Sequence, residues 1–288
     1  MTKPETRRRG VLRGRSEPRP SVGGKIDFLP RGEVVLEVKG LNKSFGPVHV
    51  LHDIEFSVRA GEVIALVGDN GAGKSTLVKC IAGINSLDSG EIHFEGRPVT
   101  ITDPSVAAAL GIEFVYQDLA LADNLDITQN MFLGREIRRF GLLADGEMER
   151  KARETLASLS VRTVSSVRQL VANLSGGQRQ TVAIAKAVLW NSKVVFLDEP
   201  TAALGVAQTR QVLDLVRRLA DQGLGVVLIS HNMNDVMEVA DHVAALYLGR
   251  IAAVVDTKDS STTQIVELIT AGRSGNIGLA PATVNENI

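Results

Sequence analysis

The run Glu62-Val63-Ile64-Ala65-Leu66-Val67 ends in Gly68-Asp69-Asn70-Gly71-Ala72-Gly73-Lys74-Ser75, and no other stretch restricts the folding choices of the chain as tightly. An apolar strand that breaks into a glycine-rich turn and resumes as a helix, Thr76 to Ala82, fixes a strand–loop–helix unit. Glycines are needed where backbone N–H groups must turn inward around an anion without a Cβ in the way. The turned amides and the positive end of the following helix form a nest for phosphate. In this pattern Lys74 is a point charge for the outer phosphates, and the Ser75 hydroxyl is a ligand for Mg²⁺. The bland alternative, a glycine-rich turn with an incidental lysine, is set aside by the strand before it and the helix after it.

The rest of the chain supplies a sheet for that unit. Val34 to Val38 and His49 to Val58 alternate or cluster as strands do. Ile112 to Tyr116, Val194 to Leu197 and Val226 to Ile229 are short β-branched runs expected of strands buried on both faces. Between the last two, Val212, Leu215, Val216 and Leu219 recur at helical spacing, with Gly223 as the stop. Strand, helix, strand in that order predicts a parallel α/β sheet with right-handed crossovers. Asp118 to Asn173 reads as an inserted helical lobe, clearest over Met148 to Ser160.

Val194-Val195-Phe196-Leu197 runs into Asp198-Glu199, which places two acids at a strand end facing the phosphate loop. Asp198 is expected to hold Mg²⁺ through its water shell, and Glu199 to polarise an attacking water as general base. Adjacent acids alone could be only a helix cap or a solvated turn. Leu174-Ser175-Gly176-Gly177-Gln178 opens a helix that runs to about Trp190 and forms a second anion nest, or simply a helix capped by Ser175.

The ordered set of phosphate loop, Gln117, LSGGQ, Asp198-Glu199 and His231 resembles the ATP-binding cassette family over roughly residues 34 to 272. The resemblance implies a P-loop NTPase core of RecA type with a parallel sheet, a small antiparallel β subdomain and a helical subdomain at about 118–190, within a domain spanning 32–272. It implies ATP and Mg²⁺ as ligands. Gly68 through Thr76 would hold the phosphates, and Phe45, 23 residues before Gly68, would stack on adenine unless it is plain core. Gln117 would sense Mg²⁺ and the water, and His231 would contact the γ-phosphate and orient Glu199. Ser175, Gly176, Gly177 and Gln178 would cover the γ-phosphate held by a partner, so a second copy of the chain is expected. Gly205 departs from the pattern, since many cassettes carry an aspartate there that helps the two sites communicate.

The separation of 57 positions from Gln117 to Leu174 leaves room for a compact lobe and not for the long coiled coil of chromosome and break-repair relatives. The wording Glu199-Pro200-Thr201-Ala202-Ala203-Leu204-Gly205-Val206 and Ile229-Ser230-His231-Asn232-Met233 is similar to the ribose, xylose and fructose importer branch. The resemblance then implies a monosaccharide importer: a peripheral subunit on the cytoplasmic face of the inner membrane, working with permease subunits and, indirectly, a solute-binding protein. A lipid or polysaccharide exporter, and an ATPase acting on nucleic acid or ribosomes, are the alternatives.

Composition agrees and narrows little more. Net charge is −1, which gives no overall bias toward nucleic acid. Cys80 is the only cysteine, which excludes an internal disulfide. No uncharged apolar run is long enough for a spanning helix. Residues 1–31 carry nine Lys/Arg against three acids and read as a flexible basic tail, with lipid or nucleic-acid contact as the alternative. Residues 273–288 read as a second tail, and Trp190 and Cys80 as core.

Overall fold

The computed structural model describes residues 28–161 and 164–279. The tail readings for residues 1–27 and 280–288 lie outside the described residues. In chain order the elements are β1 (Val34–Phe45), β2 (Val48–Arg59), β3 (Val63–Gly68), α1 (Lys74–Ile81), β4 (Ser89–Phe94), β5 (Arg97–Val99), α2 (Pro104–Leu110) and β6 (Ile112–Val115). Then follow α3 (Ile127–Phe132), β7 (Arg138–Arg139), β8 (Leu142–Leu143), α4 (Asp145–Ser158), α5 (Gly176–Val188), β9 (Val194–Asp198) and α6 (Val206–Asp221). The chain closes with β10 (Gly225–Ile229), α7 (Met233–Val239), β11 (His242–Tyr247), β12 (Arg250–Asp256), α8 (Thr262–Ala271), β13 (Arg273–Ser274) and β14 (Ile277–Gly278).

The main sheet has the order β12-β11-β3-β10-β9-β6. Five of its strands pair in parallel, and β12 adds an antiparallel edge. A second, antiparallel sheet has the order β2-β1-β4-β5.

The apolar runs are explained by what covers each face. Side chains alternate across a strand, so Val195, Leu197, Val226 and Leu228 enter the cluster built with α5 and α6. Val194, Phe196, Val227 and Ile229 face the other way, into the cluster shared with α1 and the antiparallel sheet. Ala65 and Val67 of β3 meet Val236 of α7 and Ile265 and Leu268 of α8. With both faces covered, alternation with polar residues has no place on these strands.

The helical lobe comprises α3, the β7–β8 hairpin, α4 and α5, and it shares the α5–α6 cluster. Trp190 packs edge-on to Phe132, with ring centroids 5.5 Å apart, and Cys80 is buried; both are core, as expected. Residues 28–31 and 273–279, assigned to the tails from composition, belong to the described fold. Phe28 and Leu29 pack against the two main clusters, and Arg31 pairs with Asp241. At the other end, Arg273 to Gly278 form a small hairpin, because Gly272 caps α8 in the left-handed region and turns the chain back.

Phe196 is fully buried and stacks on Phe114 at 4.8 Å between centroids. Phe196→Ala is expected to lower unfolding free energy by about 3–5 kcal/mol, read from chemical denaturation.

Candidate active site

Three adjacent strands set the site. Ile229 of β10 pairs with Leu66 of β3 on one side and with Asp198 of β9 on the other. The loops that leave these strands therefore emerge together at the carboxyl edge of the sheet, where open α/β folds bind ligands.

The loop after β3 needs its glycines. A Cβ on Gly68 would lie 2.5 Å from the Leu246 carbonyl oxygen, and one on Gly73, at φ 110°, 2.8 Å from Leu51 Cδ2. Gly73 is the residue from which α1 starts, and no side chain caps that helix, so the first-turn amides of Lys74, Ser75 and Thr76 have no side-chain partner from a cap. Lys74 Nζ donates to the carbonyl oxygens of Gly68 (2.6 Å) and Asp69 (3.1 Å). An ammonium has three donors, so one remains for an incoming anion. Asp69 steadies the loop, its Oδ1 accepting from Asn70 N at 2.8 Å and its carbonyl from Ala72 N at 3.1 Å.

Charge is unbalanced here. Burial lowers the Lys74 pKa, against the opposing pull of Glu199, Asp69 and Asp198. Burial raises the Asp198 pKa, the neighbouring Glu199 raises it further, and Lys74 offsets only part of this. Two carboxylates thus face one lysine. Burial and Asp198 also raise the pKa of Tyr116, at the head of the segment that leads to Gln117. β6 ends at Val115, so Gln117 lies in the loop beyond the strand and is exposed.

Glu199 adopts the left-handed region, φ 49°, which is uncommon for a residue with a Cβ. Its N–H donates to the Ile229 carbonyl at 2.9 Å, and its Oε1 lies 2.8 Å from His231 Nδ1. Opposite a carboxylate, Nδ1 is the nitrogen that carries the proton, leaving Nε2 toward solvent. The Glu199 side chain is 15% exposed and that of His231 78%. The sequence foresaw this pair; it missed Thr201, Asn232 and Asp235, which bind one another beside it. Asn232 followed three residues later by an acid is a helix-start signal that could have drawn attention to them.

Phe45 is 47% exposed, which overturns the plain-core alternative. Lys43 Nζ, paired with Asp88 at 2.9 Å, sits 5.3 Å from the Phe45 ring centroid.

Ser175 is the N-cap of α5: its N–H donates to Gln178 Oε1 at 2.8 Å, and its Oγ accepts from Gln178 N at 3.4 Å. The glycines beside it lean on the segment that follows Glu199. A Cβ on Gly176 would stand 3.2 Å from Leu204, and one on Gly177 3.0 Å from Gln208 of α6. Gly205 has φ −75° and open space where a Cβ would go, so neither backbone nor packing demands glycine there.

On the lobe side, a cavity of about 290 Å³ is lined by Tyr116, Met131, Leu133, Arg135, Lys186 and Trp190 among others. Arg135 pairs with Glu113 at 2.7 Å and lies 5.3 Å from the Trp190 ring.

Comparison with known proteins identifies the family. The family model described as "ABC transporter" matches residues 51–202. The chain is 45% identical over 248 residues to the fructose import ATP-binding protein of Rhizobium meliloti, covering 84% of this chain and 95% of that protein. It is 43% identical over 245 residues to the xylose/arabinose import ATP-binding protein of Sulfolobus acidocaldarius, covering 85% and 97%. Among solved structures, an ATP-binding cassette of an ABC transporter in its ADP conformation superposes with a TM-score of 0.71 at 24% identity, over 82% of this chain and 95% of that one.

Asp198 holds its proton more tightly folded than unfolded, so its contribution to stability falls as pH rises past the usual carboxylate range. At neutral pH and without nucleotide, Asp198→Asn is therefore expected to raise the Tm by about 1–3 °C while activity is lost. A thermal melt measures the first effect and phosphate release the second.

Proposed function

The chain belongs to the ABC transporter family, and from that premise we propose that it is the ATP-hydrolysing subunit of an importer that moves a monosaccharide through a separate permease. The observation that carries the ATPase reading is the meeting of the Lys74 loop, Asp198-Glu199 and His231 on one edge of three adjacent strands. The sugar reading is carried by likeness to the fructose and xylose/arabinose import proteins over nearly their whole length.

On this reading Gly68 through Thr76 cradle the phosphates, Lys74 meets the β- and γ-phosphates, and the exposed Phe45 face stacks on adenine. The donors fit Mg²⁺: Ser75 and Asp198 offer hard oxygens, Gln117 would add its amide oxygen, and the crowded carboxylates favour a divalent cation. Among the described residues no three His, Cys, Asp or Glu side chains form a metal cage. When bound, Mg²⁺ neutralises charge on the β- and γ-phosphate oxygens.

Glu199 accepts a proton from the water as that water attacks the γ-phosphorus and the bond to the β-phosphate oxygen breaks. His231 fixes the Glu199 carboxylate through Nδ1 and turns Nε2 toward the γ-phosphate. Ser175, Gly176, Gly177 and Gln178 cover the γ-phosphate bound by a second copy, so ATP bridges two chains and favours their closed arrangement. Closure is passed to the permease through a short helix seated in the cavity beside Arg135 and Trp190. Among the described residues no helix is long and apolar enough to cross a membrane. Likeness to the import ATP-binding proteins supports a subunit held by its permease at the cytoplasmic face of the inner membrane.

Glu199→Gln is expected to cut turnover by about 10²–10⁴-fold and to accumulate an ATP-bound dimer in size-exclusion with light scattering. A strictly monomeric variant in ATP and Mg²⁺ would defeat the paired site. For the substrate, proteoliposomes holding this chain, its permease and the solute-binding protein are expected to take up labelled fructose, xylose or ribose with ATP. Stimulation by a lipid or a metal ion alone would overturn the sugar reading.

A further inference from the structure

The stretch that carries Glu199 is strained twice, with Glu199 at φ 49° and Ala203 at φ 59°. Each left-handed residue with a Cβ is disfavoured and persists only where surrounding contacts over-determine it. The contact that does so here runs to α7. Thr201 Oγ1 donates to Asp235 Oδ2 at 2.6 Å, and Asn232 Nδ2 donates to Asp235 Oδ1 at 3.0 Å. Asn232 in turn caps α7 by accepting from Asn234 N at 3.1 Å, and its own N–H donates to the buried Ser230 Oγ at 3.1 Å.

Asp235 is 5% exposed, and among the described residues no cation pairs with it. Its place in the first turn of α7 suits a carboxylate through the helix dipole, but no opposite charge offsets its burial, and its two oxygens are spent on side chains from two different loops. Its value is geometric. One oxygen takes the chain two residues after Glu199, and the other takes the residue next to His231.

We propose that Asp235 is a positioning residue, which through Thr201 and Asn232 holds Glu199 and His231 in the mutual register that the 2.8 Å contact between them requires. It touches neither nucleotide nor water and acts only by fixing the two loops. The inference rests on Glu199 being the base, and the test separates the two.

Thr201→Val keeps the shape of the side chain and removes the hydroxyl, leaving Asp235 Oδ2 without its donor. In the full chain assembled with its permease, kcat is expected to fall about 10- to 100-fold, as misplacement of a catalytic group by about 1 Å does. The KM for ATP should stay within about twofold, because the phosphate loop is untouched. Thr201→Ser restores the donor and is expected to restore kcat. The double variant Thr201→Val with Asp235→Asn should lose less than the two single losses combined, since Asp235 is the shared partner in both links. Thermal melts run alongside confirm that each variant is folded. Wild-type kcat in a folded Thr201→Val, or no rescue by serine, overturns the tether. Undiminished turnover in Glu199→Gln would instead remove the base assignment.

Discussion

Ile229 pairs with Leu66 on one side and with Asp198 on the other, and most of what this protein can do follows from that register. β3, β10 and β9 run parallel; β10 and β9 end level, and β3 runs two residues further. A phosphate loop, a pair of acids and a histidine that lie far apart in sequence thus reach one rim. The register is enforced by burial on both faces. A slip of one residue would exchange Val226 and Leu228 for Val227 and Ile229 between two differently shaped cores.

The rim itself is not built for stability. Asp198 and Glu199 face a single partly buried lysine, and Glu199 sits in a backbone region that most side chains avoid. Folding energy from the apolar layers, with Phe196 and Leu66 fully buried, holds these groups where bulk water would separate them. This is the usual relation between a site and its scaffold: the layers tolerate a local disfavoured arrangement because it is small beside their own burial.

What the sequence disclosed follows the range of the forces involved. The phosphate loop was legible because its glycines answer to backbone geometry within eight residues. The central strands were legible because two-sided burial leaves an uninterrupted apolar signature in Val194 to Leu197 and Val226 to Ile229. The docking of Phe28 was hidden, since it depends on Gly223 presenting a bare surface nearly two hundred positions away. Thr201 and Asp235 were hidden for the same reason: 34 residues separate them, and neither is unusual by itself. The β7–β8 hairpin, two residues per strand, is too short to show an alternation. Phe45 was ambiguous until its exposure was known, because an aromatic beside a strand end fits a core as well as a platform.

The bare faces of Gly176 and Gly177 carry a mechanical consequence. Leu204 and Gln208 press against them so closely that a methyl group could not be interposed at Gly177 without displacing its neighbour. The turn at Ser175 and the segment trailing Glu199 are therefore in direct contact, with no side chain between them. On the proposed reading, one of these serves the nucleotide a chain holds and the other the nucleotide of its mate. A shift toward its counterpart at either would press on Leu204 or Gln208 directly, a route of contact that does not pass through the side chain at position 205.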